Sequence, residues 1–362
     1  MPIYSVTMDR GLVRRDSMDR HMAADAADGR NLRAQRGDVV YNMMRMWQGA
    51  VGLAHEECMV SPAYVVLSPK KQTSSGFFDQ WFNARRMLYL LGAYSHGITS
   101  DRLRLYADDF ARIPLHLPTL DEQQRIAAFL SEVDGKLAAL AAKQAALGQF
   151  KSGLMQKLFS QEFRFTKDGG QAFPDWQEKR LGNVATFQKG KGIAKGDIAP
   201  YGATPCIRYG EIYTHYSETI RTILSRTNVP TRELTLSQSN DVIIPASGED
   251  PLAMARACCV LQEGVALGGD INVLRSQVDG VFLAYYLTHA KRIEIAKIAQ
   301  GNSVVHLYSA QLKQLAISVP HPDEQLKIAK ALSAMDAKIQ AVTDQATKLQ
   351  TFKKGLLQQM FV

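Results

Sequence analysis

Cysteine is scarce: Cys58, Cys206, Cys258 and Cys259 are the only four in 362 residues. No two form a C-x-x-C pair, and the adjacent Cys258 and Cys259 make a poor bridge. This speaks against a disulfide framework and against a thiolate metal site. The four are expected to be reduced, partly buried thiols, with no metal. Long apolar runs are missing as well. No stretch reaches the ~18 residues that a membrane helix needs. No charged start, apolar core and cleavage site of the secretory kind occurs either. The cytoplasm is therefore the expected compartment, with no membrane partner. Blocks of like charge are also absent, which excludes a charged disordered tail.

What is present begins with a mild basic excess. The net charge is +8 and 46% of residues are hydrophobic, with a pI near 9.2. Such a balance permits an acidic partner such as nucleic acid without proving one. The length suits two or three domains.

The strongest signal is an internal repeat. The stretch from Ile113 and the stretch from Leu315 align without a gap. Pro118 falls on Pro320, Asp121-Glu122-Gln123 on Asp323-Glu324-Gln325, and Asp134 on Asp336. Phe150-Lys151-x-Gly153-Leu154 falls on Phe352-Lys353-x-Gly355-Leu356. So long a period means that whole domains repeat, rather than small solenoid units.

Each copy reads as one long helix. Its apolar positions alternate in steps of four and three, the heptad pattern of a helix seeking another helix. The first seam is Ile126, Leu130, Val133, Leu137, Leu140, Leu147 and Leu154; the second is Ile328, Leu332, Met335, Ile339, Val342, Leu349 and Leu356. The alternative is that each helix covers its own domain's core. Thr119 and Glu122 have capping-box spacing, and Pro322 suits a first helical position. About 36 residues at 1.5 Å each give a rod of roughly 54 Å.

The segment from Phe163 to Val319 reads as mixed α/β. Strands are expected at Val242–Pro245, Ala257–Leu261 and Ile271–Leu274, and a helix over Val281–Ile298. Residues 1–117 read as a shorter version, with Gly37-Asp38-Val39-Val40 parallel to Asn240-Asp241-Val242-Ile243. The expected fold class is α+β. A first domain (1–118) and a long helix (119–162) precede a second domain (163–320) and a second long helix (321–362).

This order resembles the specificity subunit of type I restriction–modification enzymes. The Pro-x-x-x-Glu-Gln-x-x-Ile-Ala helix starts (Pro118 to Ala127, Pro320 to Ala329) are similar to that family. So are the Lys-x-Gly-Leu-x-Gln-x-x-Phe helix ends at Lys151–Phe159 and Lys353–Phe361. Trp176 with Arg180-Leu181-Gly182, the loop Lys191–Ile198, and Gly301-Asn302-Ser303 before Leu307-Tyr308 resemble its second target recognition domain. The resemblance covers essentially the whole chain. It implies two recognition domains, a pair of antiparallel helices with pseudo-twofold symmetry, and double-stranded DNA read at two half-sites. A ~54 Å rod corresponds to about 16 base pairs, which suits a bipartite target with an unread spacer. It also implies two methyltransferase subunits on the helices and two motor–nuclease subunits beyond them. S-adenosylmethionine, ATP and Mg2+ would belong to those partners, and no cofactor to this chain.

Glycine-rich basic loops let backbone approach phosphates, and amide or hydroxyl tips read base edges. On that ground the DNA-contact candidates in the second domain are Lys189, Lys191, Lys195, Arg208, Tyr209, Tyr213, Asn302, Ser303 and His306. In the first domain they are Arg14, Arg15, Asn42, Arg45, Arg102 and Arg104. For each, the plain alternative is solvated surface or a local structural bond. The tyrosines are more often core than contact.

A catalytic reading finds little. No Asn/Asp-Pro-Pro-Tyr/Phe motif of an adenine methyltransferase occurs, and no GxxxxGK[ST] phosphate loop; Gly190-Lys191-Gly192 lacks the spacing. The chain is expected to bind rather than catalyse. A scaffold of paired helices with no DNA role is the third reading. One departure from the family pattern stands out. Far more residues lie between Trp176 and Asp241 than precede the matching Asp38. The first domain is therefore expected to lack its entry segment, through an internal translation start or a naturally compact domain; the former is preferred.

Overall fold

A computed structural model describes residues 1–18, 30–99, 101–301 and 304–360. The chain divides into two compact units. Unit 1 is Met1–Gln144 with Val342–Val362; unit 2 is Ala145–Ala341. Each unit takes part of both long helices, Leu120–Phe159 and Pro322–Met360.

Among its described residues unit 1 carries seven strands. They are β1 (Tyr4–Thr7), β2 (Gly11–Arg14), β3 (Leu32–Ala34), β4 (Val39–Asn42), β5 (Val51–Leu53), β6 (Cys58–Val60) and β7 (Tyr64–Leu67). The central sheet runs β5–β4–β7, with Val40 opposite Gly52 on one side and Val66 on the other. A core of Tyr41, Phe77, Phe82, Met87, Leu91 and Leu105 packs beneath it, and Leu130 of the long helix joins that core.

Unit 2 is built the same way, with more strands. They begin with β8 (Gln177–Arg180), β9 (Ala185–Lys189), β10 (Thr204–Ile207), β11 (Thr219–Ile220), β12 (Ser225–Thr227) and β13 (Thr235–Leu236). They continue with β14 (Asp241–Pro245), β15 (Ser247–Gly248), β16 (Cys258–Val260) and β17 (Ala266–Leu267). The last are β18 (Ile271–Ser276), β19 (Val305–His306) and β20 (Ala316–Val319). The central sheet runs β11–β16–β14–β18–β9. Its middle three strands, β16–β14–β18, repeat β5–β4–β7 in order and direction.

The repeat extends to single hydrogen bonds. Asp38 accepts from the Gln35 N–H at 2.8 Å, and Asp241 accepts from the Gln238 N–H at 2.8 Å. Both turns need a left-handed residue, which is Gly37 (φ 97°) in one and Asn240 (φ 78°) in the other. The small sheets correspond too. The parallel bridge Ile3–Met59 and the hairpin β1–β2 repeat β10 against β17 and β10 against β12. Counterparts of β8 and β9 are not found in unit 1 among the described residues. The segment equivalent to β20, residues 114–117, accordingly forms no strand.

The expected helix over Val281–Ile298 is broken. It forms as Gly280–Tyr285, a wide turn at Tyr286–Ala290, and Arg292–Ile298. Lys291 leaves helical geometry. Thr288 ties the turn to Ala257 by bonds of 2.9 and 3.2 Å. The four cysteines are free and buried. Strand alternation sends Cys258 and Cys259 to opposite faces of the sheet, into different cores. Burial pushes both thiols up to about 12.

The long helices serve two purposes. Ile126 and Leu130 pack into the core of unit 1, while Ile328 and Leu332 belong to the core of unit 2. The ends of the predicted seam therefore cover domain cores, the alternative weighed from sequence. Val133, Met335 and Val342 are also buried; Leu137, Leu140, Leu147, Leu154, Ile339, Leu349 and Leu356 are half-buried. In unit 1 the helices run antiparallel, with Gln144 on Thr343 (2.9 Å) and Lys353 on Asp134 (2.7 Å). In unit 2 Lys151 meets Asp336 at 2.5 Å. The repeat exchanges the last two pairs: lysine 151 for 353, and aspartate 336 for 134.

Candidate nucleic-acid interface

Each central sheet has an anchored end and a free end. The anchored end lies where β4 and β14 begin. There the side chain of Gln325 accepts from the Asp279 N–H (2.8 Å) and donates to the Pro320 carbonyl (2.8 Å). Gln123 accepts from the Ser74 N–H (3.0 Å) and donates to the Pro118 carbonyl (2.9 Å). Thus the glutamine of each Glu-Gln motif locks a long helix to the start of a domain helix, Gly280–Tyr285 or Ser75–Trp81. Those short helices then touch the helical aspartates: Tyr285 donates its hydroxyl to Asp336, and Gln80 donates to Asp134 at 3.0 Å.

The free end lies where β4 and β14 finish. In unit 1 a cleft of about 750 Å³ opens there, its lining including Arg45, Gln48, His96, Asp101, Arg102, Arg104 and Tyr106. The Leu105 N–H binds the Met43 carbonyl at 2.9 Å, and this joins the β4 exit to the 96–104 loop. Arg45, Arg102 and Arg104 are exposed. Among the described residues no carboxylate forms an ion pair with their guanidinium groups, so three exposed cations share one cleft with a single carboxylate, Asp101. That is the electrostatics of an anion site. The Asn42 side chain is used locally, accepting from the Met44 N–H at 3.0 Å.

Arg14 and Arg15 lie elsewhere. They sit at the far end of the β1–β2 hairpin, where Arg14 pairs with Asp16 (3.0 Å) and Arg15 donates to Ser5 (2.9 Å). The hairpin's tip, which carries Arg10, lies toward the β4 exit, because Gly11 packs on Gly52 and Val51. Sequence reading missed Arg10, Gln48 and His96. No spacing rule marks them; only the pairing of β1 with β2 and the 96–104 loop brings them in.

Unit 2 presents a different surface at its equivalent end. Lys189 closes β9 opposite Asn272. A Cβ on the next residue, Gly190, would fall 1.9 Å from the Gly268 carbonyl oxygen, so only glycine allows this approach. The Lys191 N–H then binds the Leu267 carbonyl at 2.9 Å. Lys189, Lys191 and Lys195 are exposed along this loop. Gly268 in turn binds the Ile207 carbonyl at 2.8 Å, and this sets Arg208 beside the same loop. Arg208 reaches buried Glu211 at 3.4 Å, while its buried Nε finds no partner among the described residues.

Tyr209 is exposed and stands edge-on to Tyr213, with centroids 6.5 Å apart. The Tyr213 hydroxyl is committed to the Ser247 carbonyl at 2.8 Å, and burial raises its pKa. Tyr213 therefore pins β15 rather than offering a free tip. His306 pairs through its backbone with Ser247 and stacks on Tyr308 (6.0 Å). Asn302 and Ser303 lie outside the described residues. Lys189, Lys191, Arg208, Tyr209 and His306 thus gather at one end of the sheet. Among the described residues no group of His, Cys, Asp and Glu is arranged to hold a metal. No helix among them is long and apolar enough to cross a membrane.

Two domains of one design, each followed by a copy of the same long helix, are also what comparison with known proteins finds. The family model for the type I restriction modification DNA specificity domain matches residues 26–149 and 174–351. The chain belongs to this family. Two relatives come from Methanocaldococcus jannaschii. The specificity subunit of the MjaVIII type I restriction enzyme is 24% identical over 272 residues, 68% of this chain and 61% of the relative. A protein described as the putative MjaX specificity subunit is 26% identical over 264 residues, 68% of this chain and 57% of the relative. The chain thus matches under two thirds of their length. Among solved structures, the S subunit of a type I system from M. genitalium superposes with a TM-score of 0.59 at 16% identity, covering 91% of this chain and 84% of that one. A chain from a study of type I complex assembly and conformational transition gives 0.55 at 18%, covering 94% and 85%. These likenesses bear on the fold.

Proposed function

We propose that this specificity-family chain recognises double-stranded DNA for a type I restriction–modification complex. Unit 1 reads one half-site through the Arg45–Arg102–Arg104 cleft. Unit 2 reads the other through the Lys189–Lys195 loop with Arg208, Tyr209 and His306. Arginine forks reach guanine edges or phosphates, while the lysines neutralise backbone charge. The supporting observation is the pair of repeated sheets, which share one anchored end and differ at the free end. The chain supplies recognition and no chemistry. Two methyltransferase subunits with S-adenosylmethionine act at the sites it selects, and two motor–nuclease subunits with ATP and Mg2+ join them, all in the cytoplasm.

The test is methylome mapping in cells carrying the native gene, no gene, or Arg45→Ala/Arg102→Ala/Arg104→Ala. The native gene should give methylated adenines at one bipartite motif, and its loss should abolish them. The triple variant should relax one half of the motif only. An unchanged motif in the triple variant would remove the cleft from the reading. Methyl transfer by the purified chain alone, with labelled S-adenosylmethionine and DNA, would overturn its role as a pure binder.

A further inference from the structure

The loop beside the unit 1 cleft holds a side chain that polar readout leaves unused. His96 and Arg104 bridge this loop at its base, the His96 N–H on the Arg104 carbonyl (2.9 Å) and the Arg104 N–H on the His96 carbonyl (2.8 Å). The chain closes at once on the next residue. A Cβ on Gly97 would fall 2.4 Å from the Arg102 carbonyl oxygen, so only glycine allows the closure. The Arg102 N–H also binds the Thr99 carbonyl at 3.0 Å. Ile98 follows directly on this closure. It lines the cleft and is 101% exposed, while the cleft's Met44 and Tyr106 are 44% and 45% exposed.

A single exposed apolar side chain is ordinary on a protein surface. The company of Ile98 is what singles it out. Arg45, Arg102, Arg104, Gln48 and Asp101 are exposed in the same cleft. These are side chains that read base edges in the major groove. Arginine takes guanine O6 and N7, glutamine takes adenine N6 and N7, and a carboxylate accepts from cytosine N4. Thymine is marked there by its C5 methyl group, which calls for an apolar partner. Unit 2 has the same bridge, Gln300 with His306 at 2.9 and 2.7 Å, and the same closing glycine, Gly301. Arg104 comes eight residues after His96, and His306 six after Gln300, so the unit 1 loop is longer by two. The residue after the glycine also changes from isoleucine to asparagine.

We propose that Ile98 reads a thymine of the unit 1 half-site by packing on its C5 methyl group in the major groove. This inference rests on the DNA reading above and adds one base to it. The bridged loop and the stiff, β-branched side chain set the contact in place before DNA arrives, so little freedom is lost on binding.

The test uses the full chain assembled with its methyltransferase subunits and duplexes carrying the motif that methylome mapping defines. Each thymine is replaced in turn by deoxyuridine, which removes one methyl group, and binding is followed by fluorescence anisotropy. One replacement should weaken the native complex about fourfold, the worth of one buried methyl group. It should lie in the half of the motif that Arg45→Ala/Arg102→Ala/Arg104→Ala relaxes. Ile98→Ala should fold normally, because the side chain is fully exposed, and should bind the thymine duplex about tenfold more weakly. With that variant the same deoxyuridine should make no difference, whereas Ile98→Val should keep most of its effect. Affinity for unrelated DNA, which rests on phosphates, should not change. A half-site without thymine on either strand would overturn the proposal. So would a native complex indifferent to every deoxyuridine, or a deoxyuridine effect that survives Ile98→Ala. A native complex that binds its motif no better than unrelated DNA would overturn the recognition reading itself, and this inference with it.

Discussion

Replacing Lys151 by methionine should destabilise unit 2 far more than replacing its repeat mate Lys353 destabilises unit 1. Lys151 is 13% exposed and its ammonium serves three groups. It lies 2.5 Å from Asp336, 3.7 Å from Glu218 and 4.8 Å over the Tyr285 ring. Methionine would leave two carboxylates in one half-closed pocket, a loss of about 3–5 kcal/mol. Among the described residues Lys353 forms one ion pair, with Asp134, which is 40% exposed and keeps its bond from Gln80; its charge also acts on the nearby Asp79 carboxyl. That loss should be about 1 kcal/mol. The two variants also differ in pH dependence. Burial alone would raise the Glu218 carboxyl; the His289 hydrogen bond and the Lys151 charge outweigh it and hold the group at about 2 rather than 4.5. A depressed carboxyl stabilises the fold above its unfolded value and loses that stabilisation as pH falls from 4.5 toward 2. The contribution is on the order of 3 kcal/mol at neutral pH. Asp336, which burial raises, opposes part of it. Urea unfolding at about pH 7 and about pH 3.5 should show the Lys151→Met deficit shrinking at the lower pH. Glu218→Gln added to Lys151→Met should recover part of that deficit. Equal deficits for the two lysine variants, or a Lys151 deficit independent of pH, would refute this account of the pocket.

Two further outcomes are expected. Gln325→Ala removes a buried side chain that bridges Pro320 and Asp279, and should cost about 1–3 kcal/mol in thermal unfolding; Gln123→Ala should cost a similar amount in unit 1. Gly190→Ala places a methyl group against the Gly268 carbonyl. It should displace the lysine loop and weaken DNA binding in fluorescence anisotropy. The slope of log affinity against log salt should fall by about one for each phosphate that the displaced lysines no longer neutralise.

The helices were readable from sequence because a heptad repeats over enough residues to rise above chance, and because the two copies check each other. Strands β14, β16 and β18 were readable because they are short apolar runs bounded by turn residues. The seam was only half right. A helix that packs on a sheet and a helix that packs on another helix bury the same stripe, so periodicity could not separate Leu130, in a domain core, from the half-buried Leu137. The free ends were less readable still. Lys189 and Lys191 sit in a loop whose glycines announce a close backbone approach. Arg14 carries the same charge in a similar-looking setting, yet strand register sends it to the opposite end of its hairpin. Tyr213 looked like a contact residue, but a carbonyl 34 residues away takes its hydroxyl. Such bonds depend on tertiary pairing, which one chain's composition does not encode.

The repeat itself bears on function through where its copies differ. At the anchored ends three joints repeat: Asp38 and Asp241 close the same turn, Gln123 and Gln325 make the same pair of bonds, and Asp134–Lys353 mirrors Asp336–Lys151, although Glu324 is buried and Glu122 exposed. At the free ends it is not. Following the aligned strands, Arg45 stands where unit 2 has Gly248, Arg102 where it has Val304, Arg104 where it has His306, and His96 where it has Gln300. A scaffold protein with no DNA role would have no reason to keep one mount and vary what it presents. Under the proposed function, a reader of two unequal half-sites needs that combination. It must hold two domains by the same joints while each faces a different set of base edges. The bipartite motif written by this system should therefore be asymmetric, and a palindromic motif would contradict the reading.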